Sequence, residues 1–282
     1  GQFSMAATSE NVSQSAITNA VLALEKELGV RLFERLAQGV SLTADGEDFF
    51  QHACHILDSV HDATHKPRFR SRELSGTVRI AASYTVLGYF LPDLLARFRA
   101  SYPEVEIDLR DMDRAEIEQA VLGGDVDLGV AILSNIPKLS RFAHAVLVRS
   151  RRQLWVAPGH PLAKIPRPSL KDIAAHPYIM VTTDEAELST LAYWKSRRIK
   201  PDIVFRTSSI EAVRGLVAHG FGVTALSDMV FRPWSLEGKR IEARPILDLV
   251  PPMEVGALWH PQRSMSTPAE TFQQFLLHAY GY

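Results

Sequence analysis

Apolar positions recur at helical spacing between Ser13 and Gly29. Ile17, Ala20, Val21, Leu24 and Leu28 fall at steps of three and four, so they share one stripe. Gln14, Ser15, Thr18 and Asn19 project from the opposite side, near the start. Ser13 can cap the first turn with its hydroxyl, and Gly29 suits the left-handed residue that ends a helix. This pattern predicts a helix over 13–28. Thr43 then caps a long helix with Asp45, Glu47 and Asp48 in its first turn, where acids meet the positive dipole end. Along it Phe49, Ala53, Ile56 and Val60 step by four, three and four, a coiled-coil seam, with Phe50 and Leu57 beside it. Leaving such a seam wet is costly, so it predicts pairing of two chains. Pro67 ends the helix, and 66–75 reads as a basic hinge.

The pattern then alternates between strand and helix. Strands are predicted over 77–82, 105–109 and 126–132, with helices over 87–100 and 115–122. This is a βαβαβ unit, whose crossover helices imply parallel strands. A second cycle has strands over 154–157, 178–181, 203–206 and 223–226 and helices over 185–197 and 210–219. After Pro251-Pro252, 253–259 reads as a strand and 269–280 as a helix. Two α/β lobes of this kind enclose a cleft, where strand C-terminal ends and helix starts face a crevice. The chain is expected to cross between them near Ser150 and Met253.

Topology nominates the residues facing that crevice. Ser83, Tyr84 and Thr85 leave the first strand and offer hydroxyls and amides to an anion. Arg114 follows the second strand and Ile132 closes the third. Thr182 and Thr183, with Asp184 next to them, stand at the equivalent strand end of the second lobe. Thr207, Ser208 and Ser209 precede its next helix, and Thr224 lies on the strand after. Each hydroxyl taken singly also suits a plain helix cap. Arg114 also suits a surface ion pair with Asp113 or Glu118.

Length and composition set bounds on this layout. The 282 residues suffice for two or three cores, and 46% apolar with 22% charged residues are globular values. Cys54 is the one cysteine, so no internal disulfide forms and a reducing compartment fits. No run approaches a membrane span and no secretory leader opens these residues, so a cytoplasmic protein is expected. Enzyme motifs are missing: no Gly-x-Ser-x-Gly, no Gly-x-x-x-x-Gly-Lys-Ser/Thr and no His-Glu-x-x-His. Gly220-Phe-Gly222 precedes a strand and reads as a tight turn. His52, Cys54 and His55 do not share one helix face, and His160 and His260 each precede a proline in turns. No cofactor and no metal are expected.

Several short elements recur together at fixed order and spacing over some forty residues. They are Gln2-Phe3-Ser4 with Ala6-Ala7, Ser13-Gln14-Ser15, Leu24-Glu25, Leu28-Gly29, Leu32-Phe33-Glu34-Arg35 and Leu42-Thr43-Ala44-Asp45-Gly46. In these the chain resembles the LysR-type transcriptional regulators. The resemblance implies a winged helix-turn-helix over 1–42, with its second helix over 4–10, the turn at 11–12 and part of the wing at 40–42, and a dimerising linker helix and hinge over 43–75. It further implies an α/β effector domain of type II periplasmic-binding-protein architecture, with lobe I over 76–150 and 254–282 and lobe II over 151–253. It places Gly1 at the end of the family's first helix, which this numbering then lacks.

The resemblance assigns operator contacts to Ser13, Gln14, Ser15, Thr18, Asn19, Arg31 and Arg35. It implies double-stranded DNA, a small effector and a dimer or tetramer as partners, with an RNA polymerase contact left open and no membrane. Arg114 stands where the family often carries Thr or Ser, which points to a carboxylate or similar anion. One feature runs against DNA binding. Residues 1–65 hold three basic and nine acidic side chains, six net negative charges, a poor electrostatic footprint for phosphates. Avidity from a dimer or tetramer is expected to compensate. The competing reading is a two-lobed solute-binding receptor without a DNA-binding role.

Overall fold

The computed structural model describes residues 3–9, 12–36, 39–43, 45–46, 49–50, 52–53, 56 and 74–280, without the side chains of 5, 9, 35, 36, 39 and 41. Most of the linker, including Val60 and Leu57, and the Arg35 side chain lie outside these. The chain divides into two units, Gly1–Arg68 and Phe69–Tyr282.

In the first unit, α1 (Phe3–Ser9) and α2 (Gln14–Leu28) precede an antiparallel hairpin of β1 (Phe33–Leu36) and β2 (Gly39–Leu42), with Phe33 opposite Leu42. Ser13 caps α2 by accepting the Ala16 amide at 3.2 Å, and Gly29 ends it at φ 72°. Ile17, Val21 and Leu24 of the expected stripe are half-buried, while Ala20 and Leu28 remain exposed. Ala7 and Leu32 are buried, and the Phe3 and Phe33 rings meet edge to face at 5.3 Å. The hairpin starts earlier than the wing at 40–42 that the resemblance implies. Leu32 and Phe33 are core anchors here, so they carry no strand-like alternation.

The second unit holds two lobes. Lobe I is a sheet of β3 (Gly76–Ala82), β4 (Val105–Asp111), β5 (Leu128–Ile132), β6 (Ala143–Ser150) and β12 (Met253–Trp259), in the order β4-β3-β5-β12-β6. The first three strands are parallel as the βαβαβ reading requires, and β12 runs antiparallel to both of its neighbours. One face is covered by α4 (Leu91–Ser101) and α9 (Thr267–Tyr280), whose Phe98 and Phe272 rings meet at 4.9 Å. The other carries α5 (Arg114–Gly123) through Ile117, Ala120 and Val121. The single helix expected over 87–100 is two: α3 (Tyr84–Tyr89) and α4 separate at Phe90, with φ −122°, because Pro92 fits only the first turn of a new helix.

In lobe II, β7 (Arg152–Val156) lies antiparallel between β10 (Thr224–Ser227) and β11 (Glu242–Pro245), while β8 (Pro177–Val181) runs parallel to β9 (Asp202–Thr207). A parallel bridge from Tyr178 to Val223 joins the two sets. Gly222 makes this possible: a Cβ there would stand 2.6 Å from the Pro177 carbonyl oxygen. Helices α6 (Leu170–Ala174), α7 (Ala186–Ser196) and α8 (Ile210–Ala218) cover the sheet, α7 through Tyr193 and Trp194 and α8 through Val213 and Val217.

The edge strands β6 and β11 and the short α6 were not expected from the pattern. The chain crosses between lobes beside Ser150 and Met253. There the buried Ser150 hydroxyl pairs with that of Ser227 at 2.5 Å, contacts the Asp228 carboxylate and accepts the Met229 amide at 3.0 Å.

Candidate functional site

The first candidate surface is the start of α2. The Ser13 and Ser15 hydroxyls bond each other at 2.9 Å, and the Thr18 hydroxyl donates to the Gln14 carbonyl at 2.9 Å. Those three groups are therefore engaged locally. The Gln14 and Asn19 amides are exposed and form no intrachain bond among the described residues, so they are the groups free to meet a base edge. Arg31 is also exposed. The sequence reading missed Glu25, whose carboxylate accepts the Leu32 amide at 2.7 Å and the Phe33 amide at 3.0 Å. It fixes the hairpin against α2. The Thr43 hydroxyl donates to the Arg31 carbonyl and accepts the Gly46 amide at 3.0 Å.

The second candidate is the crevice between the lobes. Ser83 and Thr85 are buried at its lobe I wall, Tyr84 is exposed, and Ile132 is buried at the end of β5. Across from them the short 3₁₀ turn Thr183–Glu185 leaves β8 of lobe II. Its Asp184 carboxylate accepts the Thr85 amide at 2.8 Å, and its Asp184 carbonyl accepts Asn135 Nδ2 at 2.6 Å. The buried Ser83 hydroxyl adjoins that carboxylate without closing a hydrogen bond of its own among the described residues. Burial, reinforced by the charge of Asp111, holds the Asp184 carboxyl above the usual carboxylate range despite its bond to Thr85.

Arg114 is paired, as the plainer reading allowed, though with one partner that reading did not name. Its guanidinium grips Glu118 one turn on in α5 and, through Nε and Nη2, both oxygens of Glu185, the Nη2 bond being 2.8 Å. The hydrogen bonds to Glu185, then Glu118, outweigh its desolvation and raise its pKa. A third link joins the lobes where the Tyr89 hydroxyl donates to Glu211 at 3.1 Å. Glu211 in turn pairs with the buried Arg214, which sits 5.7 Å from the centre of the Trp155 ring.

The remaining hydroxyls are spent nearby. Thr183 donates to the Ser208 carbonyl at 2.5 Å, Thr207 accepts the Ser209 amide, Ser209 caps α8, and buried Thr224 donates to the Ile179 carbonyl. The Thr182 backbone amide donates to the Thr207 carbonyl, and Ser208 is exposed. Sequence reasoning missed Asn135 and the reach of Asp184 and Glu185. Among the described residues there is no cluster of three metal-ligating side chains and no helix long and apolar enough to cross a membrane.

A helix-turn-helix head with a hairpin, followed by a two-lobed α/β domain with a polar crevice, defines a ligand-responsive DNA-binding regulator. Residues 1–47 match the family described as bacterial regulatory helix-turn-helix protein, lysR family, and residues 71–281 match the LysR substrate binding domain. The chain belongs to the LysR family of transcriptional regulators. It is 30% identical to the HTH-type transcriptional regulator CysB of Haemophilus influenzae over 79% of this chain and 70% of that protein. It is similar to the crystal structure of HinK, a LysR family regulator from Pseudomonas aeruginosa, with TM-score 0.68 and 26% identity over 99% of this chain and 93% of that one. It also shares its fold with the effector binding domain of QuiR in complex with shikimate, with TM-score 0.63 and 18% identity over 73% of this chain and 98% of that one.

Proposed function

We propose that this regulator reads its operator with Gln14 and Asn19, assisted by Ser13, Ser15, Thr18, Arg31 and Arg35, and that a small anion entering the inter-lobe crevice modulates it. The effector carries a carboxylate or similar group. Ser83, Tyr84, Thr85, Arg114 and Ile132 receive it from lobe I, and Thr182, Thr183, Thr207, Ser208, Ser209 and Thr224 line lobe II. What supports the anionic choice is one observation: the Arg114 guanidinium already grips a carboxylate, that of Glu185, at the crevice. Shikimate, present in the QuiR complex, is itself a carboxylate. The protein works by binding, in the cytoplasm, and turns nothing over.

It pairs through the linker seam of Phe49, Ala53, Ile56 and Val60, as a dimer or a tetramer. Exposure of Phe50 and Ile56 supports that pairing. The effector biases one of two domain arrangements and can do so only through differential affinity for them. RNA polymerase contacts the assembled complex. The test is an electrophoretic shift on the promoter beside its own gene, screened against aromatic and aliphatic acids. One acid should change the footprint, and Arg114→Ala should abolish that change while the head still selects the operator. A footprint indifferent to every acid ends the proposal.

A further inference from the structure

Three non-glycine residues among those described take positive φ, and two of them are adjacent: Asp184 at 49° and Glu185 at 60°. L residues reach this region at a cost, and neighbouring structure must hold them there. The holding contacts lie in the other lobe. Asp184 is bonded to Thr85 and Asn135, and Glu185 is gripped by Arg114. In this left-handed turn the two carboxylates reach across the crevice. Their partners Thr85 and Arg114 are the groups that the effector reading assigns to an incoming anion.

We propose that the Asp184–Glu185 turn is an internal latch. It occupies the anion-binding groups of lobe I with the protein's own carboxylates, holds the two lobes together, and is displaced when the effector binds. This inference rests on the effector reading above and adds a competition to it. The effector must outbid two tethered carboxylates, so its apparent affinity is reduced by the fraction of protein that is latched. Release lets the turn relax to ordinary backbone, which favours the unlatched arrangement once the contacts are gone. The Tyr89–Glu211 bond lies outside the turn and persists as a separate tie.

The latch is tested by the distance between the lobes in the full chain. Cysteines replacing Lys138 in lobe I and Lys239 in lobe II, both exposed, carry spin labels in a Cys54→Ser background. Labelled protein is diluted into unlabelled copies so that only distances within one protomer are read. Asp184→Ala and Glu185→Ala should each shift the distribution to longer and broader values. Glu185→Gln, which keeps the size and drops the charge, should do the same, and melting curves check that each variant is folded.

Asp184→Asn retains an acceptor for the Thr85 amide and tolerates φ 49°, so it should stay closed. The Arg114→Ala and Glu185→Ala pair should open no further together than singly, the signature of one shared contact. On promoter DNA the opened variants should show the shifted footprint with no acid added. Unchanged distances in folded Asp184→Ala, Glu185→Ala and Glu185→Gln overturn the latch. The distance arm uses neither DNA nor effector. A parent indifferent to every acid while the variants open would therefore fail the effector reading alone, and a responsive parent with unmoved variants would fail the latch alone.

Discussion

Asp184 and Thr85 are 99 residues apart in the chain and 2.8 Å apart in the fold, the carboxylate of one accepting the amide of the other across the crevice. Burial raises the Asp184 pKa, so the folded domain prefers this group protonated. The sign follows: its contribution to stability is favourable in acid, where both folded and unfolded forms hold the proton. That contribution is lost as pH climbs through the raised folded value. Asp184→Asn cannot ionise and keeps the acceptor. Its melting temperature should therefore exceed that of the parent by more at pH 7 than at pH 4. A gap that widens toward acid would contradict the assignment.

Glu25 serves two backbone amides of the hairpin that have no other described acceptor. Glu25→Ala leaves both unsatisfied, at a cost of about 1–3 kcal/mol to the head. Thermal unfolding of the full chain should show the first transition lowered and the effector-domain transition unmoved. Glu25→Gln, which keeps one acceptor oxygen, should recover part of the loss.

Gln14 presents an uncommitted amide at the exposed start of α2. Gln14→Ala should cost about 1–3 kcal/mol of discrimination between operator and random duplex if that amide reads a base edge. Competition binding at fixed salt measures it. An equal loss on both duplexes would make Gln14 a phosphate contact instead.

Ser150 gathers three partners at the crossing between the lobes: the Ser227 hydroxyl, the Asp228 carboxylate and the Met229 amide. Removing its hydroxyl breaks these bonds but leaves the Met229 amide on the Ser227 hydroxyl, so Ser150→Ala should destabilise the effector domain by about 1 kcal/mol in a denaturant titration. Ser150→Cys, close in size but a weak hydrogen-bonding partner, should fall near the alanine value.

Phe98 is fully buried between α4 and α9, against Phe272, Phe275 and Tyr102. Phe98→Ala should cost about 3–5 kcal/mol through lost burial and the cavity it leaves. Chemical denaturation of the full chain reads this directly, and a loss under 1 kcal/mol would show that the site collapses around the gap.

Much of the framework is legible along the chain because it rests on local rules. The 13–28 helix needs only its stripe, Ser13 and Gly29. The parallel order of β3, β4 and β5 follows from strand and helix alternating. Two of the edge strands, β6 and β11, escaped this reading. β11 ends in Pro245, which only an edge accepts, and β6 is a sheet margin with a mixed pattern of burial. The break at Phe90 was legible only as a proline near a helix start.

By itself, then, the sequence determined the class, a helix-turn-helix head joined to an α/β effector domain, since periodicity, caps and short motifs are properties of neighbouring residues. The tertiary structure alone decided which polar groups are free and which are spent. Arg114 is claimed by Glu185, 71 residues away, and the hairpin by Glu25. Such pairings depend on how the chain brings distant side chains together, and no local pattern encodes a distance between them.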